Sequence, residues 1–120
     1  MHFFHLTFRV RDITKSIKFY EEFIGLKMQK HLTSNEWEVV FLADKEGATM
    51  IELVSIPEGV MVETKGLTVC FQTEDLDGIL TQAQELGLNP SDIRNPDPEN
   101  RYFYVYDPDG ISIEFKQKMH

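Results

Sequence analysis

Residues 5–26 read HLTFRVRDITKSIKFYEEFIGL, and this stretch decides the fold. Phe4, Leu6, Phe8 and Val10 alternate with His5, Thr7 and Arg9. A period of two predicts a half-buried strand with its aromatic side toward the core. His5, Thr7 and Arg9 then share the polar face. Asp12-Ile13-Thr14 breaks the alternation and offers Asp12 or Thr14 as a helix N-cap. Ile13, Ile17, Tyr20 and Ile24 follow at helical spacing, with Phe19 and Phe23 alongside. Gly25 is placed to end that helix in a left-handed conformation.

Outward from this unit, residues 26–31, 36–42 and 48–54 read as three strands, with a turn at Asp44-Lys45-Glu46-Gly47. In the third of these strands Met50, Glu52 and Val54 face one way, Ile51 and Leu53 the other. A carboxylate in mid-strand is unusual, because Glu is depleted in strands and resists burial. Pro57-Glu58-Gly59 breaks the pattern, and residues 61–65 read as a connector. From Gly66 the pattern restarts. Aligning Asp75 with Asp12 sets Thr68 against His5, Phe71 against Phe8, Gln72 against Arg9 and Thr73 against Val10. Residues 76–86 are predicted as the second helix, ended by Gly87. A strand is expected over 88–94, and a loop over 95–100, where Pro96 and Pro98 oppose continued pairing. Residues 102–106 and 111–116 are the last strands, joined by the turn Asp107-Pro108-Asp109-Gly110. Ile113 and Phe115 face one side of the final strand; Ser112, Glu114 and Lys116 face the other. Glu52 follows Gly47 by five residues and Glu114 follows Gly110 by four, so the glutamates match with one residue of slippage.

The totals bound what such a chain does. At 120 residues it is one domain able to bury a core, here read as module 1 (about 1–59) and module 2 (about 66–120). A net charge of −8 with no basic stripe excludes nucleic acid as the expected partner. Cys70 is the sole cysteine, which excludes an internal disulfide and suits a reducing cytoplasm. No long apolar run marks a leader or a membrane span.

The duplication predicts that His5, Glu52, Thr68 and Glu114 face a common hollow. Two carboxylates and an imidazole there call for a compensating cation. A divalent metal is one solution, since His plus two Glu suits Ni, Co, Mn, Fe or Zn. The other solution is an ion-pair network in which Glu52 and Glu114 meet Arg9 and Lys116. Arg9 reads either as an anchor for a substrate carboxylate or as half of such an ion pair. Cys70 reads as an inert small side chain. Tyr102, Tyr104 and Tyr106 form a one-faced stripe, by default sheet packing and alternatively a ligand wall. His2, His31 and His120 read as surface residues without partners.

His5-Leu-Thr-Phe-Arg9-Val, Ser16-Ile-Lys-Phe19-Tyr20 and Gly25-Leu26 resemble the start of glyoxalase I. Met50-Ile-Glu52-Leu resembles that family's internal glutamate strand. Asp107-Pro-Asp-Gly110 with Ile113-Glu114-Phe115 resembles its ending. The resemblance spans the chain and points to the vicinal oxygen chelate superfamily, which includes glyoxalase I, bleomycin-resistance proteins and extradiol dioxygenases. It implies an α+β fold of two tandem βαβββ modules forming a cupped, mixed eight-stranded sheet, and a homodimer. It implies His5, Glu52 and Glu114 as metal ligands, with Thr68 at a fourth position that is normally His. It implies Arg9 as a substrate-carboxylate anchor and Thr68 as a substrate-side residue. A family asparagine falls at Ile56. The implied activity is metal-dependent isomerisation of the hemithioacetal of a 2-oxoaldehyde and a thiol such as glutathione, with Glu114 as base and Glu52 as its alternate. The alternative is a non-catalytic protein of the same fold that binds a small molecule or antibiotic.

Overall fold

A computed structural model describes residues 1–56 and 66–119, in two compact units, Met1–Glu63 and Thr64–His120. The break at Pro57-Glu58-Gly59, the expected connector over 61–65 and His120 lie outside the described residues.

The first unit runs β1 (His5–Arg9), α1 (Ile13–Ile17) continued as a π-helical turn (Lys18–Phe23), β2 (Lys27–Thr33), β3 (Glu38–Ala43) and β4 (Met50–Ser55). The second runs β5 (Thr68–Gln72), α2 (Leu76–Glu85), β6 (Arg94–Asp97), β7 (Asn100–Tyr106) and β8 (Ser112–Lys118). Each unit is therefore a βαβββ module with its own mixed four-stranded sheet. The orders correspond: β1-β4-β3-β2 and β5-β8-β7-β6. In both, the first strand pairs parallel to the last, and the other pairs are antiparallel. Among the described residues no helix is long and apolar enough to cross a membrane.

The alternation in β1 and β4 does what period two requires. Phe8, Val10, Ile51 and Leu53 are buried, while Thr7 and Arg9 are exposed and Glu52 is half-buried. Phe4 departs from the expected core side and is exposed, because it precedes the first paired residue of β1. Tyr20 is fully buried and packs on Phe8 and Phe19 at ring separations of 6.1 and 5.0 Å. In the second unit Phe103 and Phe115 meet at 5.4 Å over buried Leu76, Ala83 and Ile113.

Asp12 and Asp75 both cap their helices, accepting from the N–H of Lys15 and of Gly78. The helix ends differ by one residue. After α2 the Gly87 N–H donates to the Gln84 carbonyl and the Leu88 N–H to Ala83, a complete Schellman motif. In the first module the Leu26 N–H reaches Tyr20, six residues back, and the Ile24 N–H reaches Phe19, five back. Gly25 lies thirteen positions after Asp12, and Gly87 twelve after Asp75. The π-turn absorbs that extra residue. It also carries Phe19 and Phe23 onto the buried side and leaves Ile17 and Ile24 half-buried, unlike the simple 3.6-residue pattern.

The expected strand over 88–94 does not form. Asn89 adopts a positive φ of 53° and Pro90 has no N–H, so this segment reaches β7 mainly through Ser91. Ser91 donates its N–H to the Tyr104 carbonyl, and its Oγ accepts from the Tyr104 N–H. The strand forms instead at Arg94–Asp97, from the last residue of the expected strand into the expected loop. Pro96 is tolerated there because β6 is an edge strand and the register slips between Arg94 and Asp97.

Asp107 is buried, and its Oδ1 accepts the N–H groups of Asp109 and Ile111 at 2.8 and 2.9 Å. That carboxylate is occupied in shaping the turn.

Gly25 has φ of 91°, and a Cβ at this position would have nothing within 4 Å, so a side chain there meets only backbone strain. Gly25→Ala is expected to lower stability by ~1–2 kcal/mol, measured by urea unfolding. Phe103→Ala, which empties a fully buried site, is expected to cost ~3–5 kcal/mol by the same measurement.

Candidate functional site

In the first module the parallel register sets His5 opposite Met50, Thr7 opposite Glu52 and Arg9 opposite Val54. On the other side of β4, Phe41 lies opposite Glu52. Glu52 thus stands in an inner strand, flanked by an edge strand that carries polar side chains on the same face. Thr7 Oγ1 donates to Glu52 Oε1 at 2.5 Å and lies 3.1 Å from His5 Nδ1. His5 Nδ1 is 3.6 Å from the same carboxylate oxygen. The imidazole meets Phe41 edge-on at 5.6 Å and Phe4 at 5.3 Å. A hydrogen bond to a charged group is worth ~1.5–3 kcal/mol, which offsets the cost of holding Glu52 half-buried in mid-strand. Arg9 ends the same face, exposed, two positions beyond Thr7.

In the second module Thr68 lies opposite Ser112, Cys70 opposite Glu114 and Gln72 opposite Lys116. Tyr104 lies opposite Glu114 on β7. The Lys116 ammonium is 3.5 Å from Glu114 Oε2 and sits 5.9 Å from the centre of the Tyr102 ring. Tyr102 and Tyr104 contact edge-on at 5.7 Å. Desolvation of the thiol raises Cys70 above its ordinary pKa, and the Glu114 charge adds to this while Lys116 opposes it. Burial first, then Glu114, raises the Tyr104 phenol in the same way. Cys70 is therefore a protonated thiol at neutral pH, consistent with an inert side chain.

The two glutamates are equivalent in register: each faces the residue two positions beyond His5 or Thr68. Twenty-seven positions separate Gly25 from Glu52, and likewise Gly87 from Glu114. The slippage between the modules thus lies in the helix, at the π-turn, and not at the glutamate strand. The structure brings His5 together with Glu52, and Glu114 together with Lys116. The ion-pair alternative holds for Glu114 with Lys116; for Glu52 the partners are His5 and Thr7 rather than Arg9. Contrary to the expectation of a surface residue without a partner, His31 Nε2 lies 2.6 Å from Glu38 Oε2 across the β2–β3 pair.

As donors for a metal, the first module offers an imidazole and a carboxylate within one contact network. The second offers one carboxylate with an ammonium beside it. Among the described residues no three His, Cys, Asp or Glu side chains gather into a group suited to a metal ion. By type, imidazole and carboxylate donors suit a borderline-to-hard divalent ion.

Sequence reasoning assigns no role to Thr7 and none to the facing of Tyr104 and Glu114. Thr7 is visible on the polar face of β1, but only the register shows that it meets Glu52.

A family model described as Glyoxalase/Bleomycin resistance protein/Dioxygenase superfamily matches residues 2–115. The uncharacterised protein YwbC of Bacillus subtilis is 34% identical over 120 residues, covering 95% of each chain. A lactoylglutathione lyase of Oryza sativa subsp. japonica is 32% identical over 120 residues, covering 88% of this chain and 40% of that protein. TnmS3, an antibiotic binding protein from Streptomyces sp. CB03234, superposes with a TM-score of 0.79 at 24% identity, covering 99% of this chain and 97% of that one.

Glu114→Gln removes the charge that helps raise the Cys70 pKa. The thiolate fraction then grows, and labelling of Cys70 by a thiol-reactive disulfide at pH 8 is expected to speed up relative to wild type. Lys116→Met is expected to slow it.

Proposed function

This chain belongs to the glyoxalase/bleomycin resistance protein/dioxygenase superfamily, and on that premise we propose that it is a metal-dependent lyase or isomerase of the glyoxalase I type. Its proposed substrate is the hemithioacetal of a 2-oxoaldehyde and a thiol such as glutathione. The observation that carries the reading is the pre-arranged His5–Thr7–Glu52 group, in which an imidazole and a carboxylate are held on one face by adjacent parallel strands. The lactoylglutathione lyase relative supports it.

His5, Glu52 and Glu114 are the proposed ligands of a divalent ion such as Ni, Zn, Co, Mn or Fe. When bound, such an ion supplies a Lewis acid for charge developing on substrate oxygens. The chain's own residues do the rest. Glu114 takes the C–H proton from one carbon of the substrate and returns it to the neighbouring carbon, with Glu52 as the alternate base. The Lys116 ammonium lies 3.5 Å from the Glu114 carboxylate. Arg9 offers a fork for a substrate carboxylate, and Thr68 a hydroxyl on the substrate side. A homodimer and a cytoplasmic setting belong to the same proposal; a monomeric mass at micromolar concentration speaks against the first.

A second reading is a non-catalytic small-molecule binding protein. It is favoured by Thr68 opposite Ser112, where neither side chain is a strong metal donor, and by the likeness to an antibiotic binding protein.

Elemental analysis of protein purified without added metal, together with hemithioacetal turnover, separates the two. The enzyme reading expects stoichiometric metal, and a loss of ~10²–10⁴-fold in turnover for Glu114→Gln. Metal-free wild type that turns over nothing yet binds a drug-sized aromatic ligand establishes the second reading instead.

A further inference from the structure

Thr7 has one hydroxyl proton and two neighbours that can use it. Glu52 Oε1 lies at 2.5 Å and His5 Nδ1 at 3.1 Å. An ionised carboxylate only accepts hydrogen bonds, whereas each imidazole nitrogen accepts or donates according to its proton. The short contact takes the hydroxyl proton to Glu52. The contact with His5 is then favourable only if Nδ1 carries a hydrogen and donates to a lone pair of Thr7 Oγ1. A bare Nδ1 would set two lone pairs against each other. The Glu52 oxygen, 3.6 Å from Nδ1, favours a hydrogen there as well.

We propose that Thr7 is a positioning residue that fixes the neutral His5 ring as the Nδ1–H tautomer, the form in which Nε2 is the lone-pair nitrogen. The chain of donors runs from His5 Nδ1–H to Thr7 Oγ1, and from Thr7 Oγ1–H to Glu52 Oε1. Phe41 meets the same ring edge-on at 5.6 Å. An imidazole fixed in this way offers a defined nitrogen to a Lewis acid or a hydrogen-bond donor, with no change of tautomer needed on binding. The second module has no counterpart. The residue matched to Thr7 is Cys70, a weak donor, and the residue matched to His5 is Thr68, which has no ring. The relay therefore makes the first module the one that offers a nitrogen ligand. Only this functional consequence rests on the metal reading proposed above; the tautomer rests on the count of hydrogens.

The test is nitrogen-15 and carbon-13 NMR of the His5 ring at neutral pH, assigned by the signal lost in His5→Gln. The expected result is the Nδ1–H form in wild type, retained in Thr7→Ser and shifted in Thr7→Val toward the Nε2–H form that a solvated histidine side chain prefers. Wild type in the Nε2–H form overturns the proposal, and this measurement needs no variant to fold. Thr7→Val that keeps the Nδ1–H form overturns it too. Zn(II) titration of the same proteins is expected to show ~10–100-fold weaker binding by Thr7→Val, with Thr7→Ser near wild type. Wild type that shows Nδ1–H yet takes up no Zn(II) refutes the metal reading and leaves the tautomer assignment standing.

Discussion

The pairing of each module's first strand with its last, side by side and parallel, is the constraint on which the rest depends. Parallel neighbours cannot be joined by a tight turn, so the chain must leave, cover the sheet and return. The helix and two intervening strands are that excursion. The same pairing decides which side chains meet. With His5 opposite Met50, the polar residues of β1 and the even-numbered residues of β4 share one face. A shift of one residue would turn Glu52 into the core and Leu53 out of it.

One scaffold therefore carries two chemistries. In the first module the cation of the polar face, Arg9, is on the edge strand opposite Val54. In the second it has moved across the pair, to Lys116 opposite Gln72. Phe41 beside Glu52 becomes Tyr104 beside Glu114, and Thr7 becomes Cys70. Each exchange changes what surrounds a glutamate without moving it. The first glutamate is held by a hydroxyl and an imidazole, the second by an ammonium, with a phenol and a thiol facing it.

Much of this is legible in the chain itself. The alternation around Phe8, the helix closed by Gly25 and the repeat that matches Thr68 to His5 follow from periodicities of two and 3.6 and from glycine's tolerance of positive φ. What is not legible depends on geometry between segments. The π-turn is invisible to a helical template, because Ile13, Ile17, Tyr20 and Ile24 satisfy the 3.6-residue pattern without it. The strand at Arg94–Asp97 is hidden by its prolines, which matter less on an edge than in a sheet interior. The pairing of His31 with Glu38 and the role of Thr7 require the register, which no single strand encodes. For the candidate site, the sequence identifies the charged residues, and the structure supplies their immediate company.

The same end-to-end pairing has a consequence for how each module assembles. β2, β3 and β4 are near neighbours along the chain, whereas Thr7 meets Glu52 across 45 residues. Closing so long a loop costs entropy that the local strands do not incur, and such distant pairings slow folding. The strand that holds His5 and Thr7 docks onto a sheet whose other strands are joined by shorter connections. The polar group is thus completed only when the module's two ends meet.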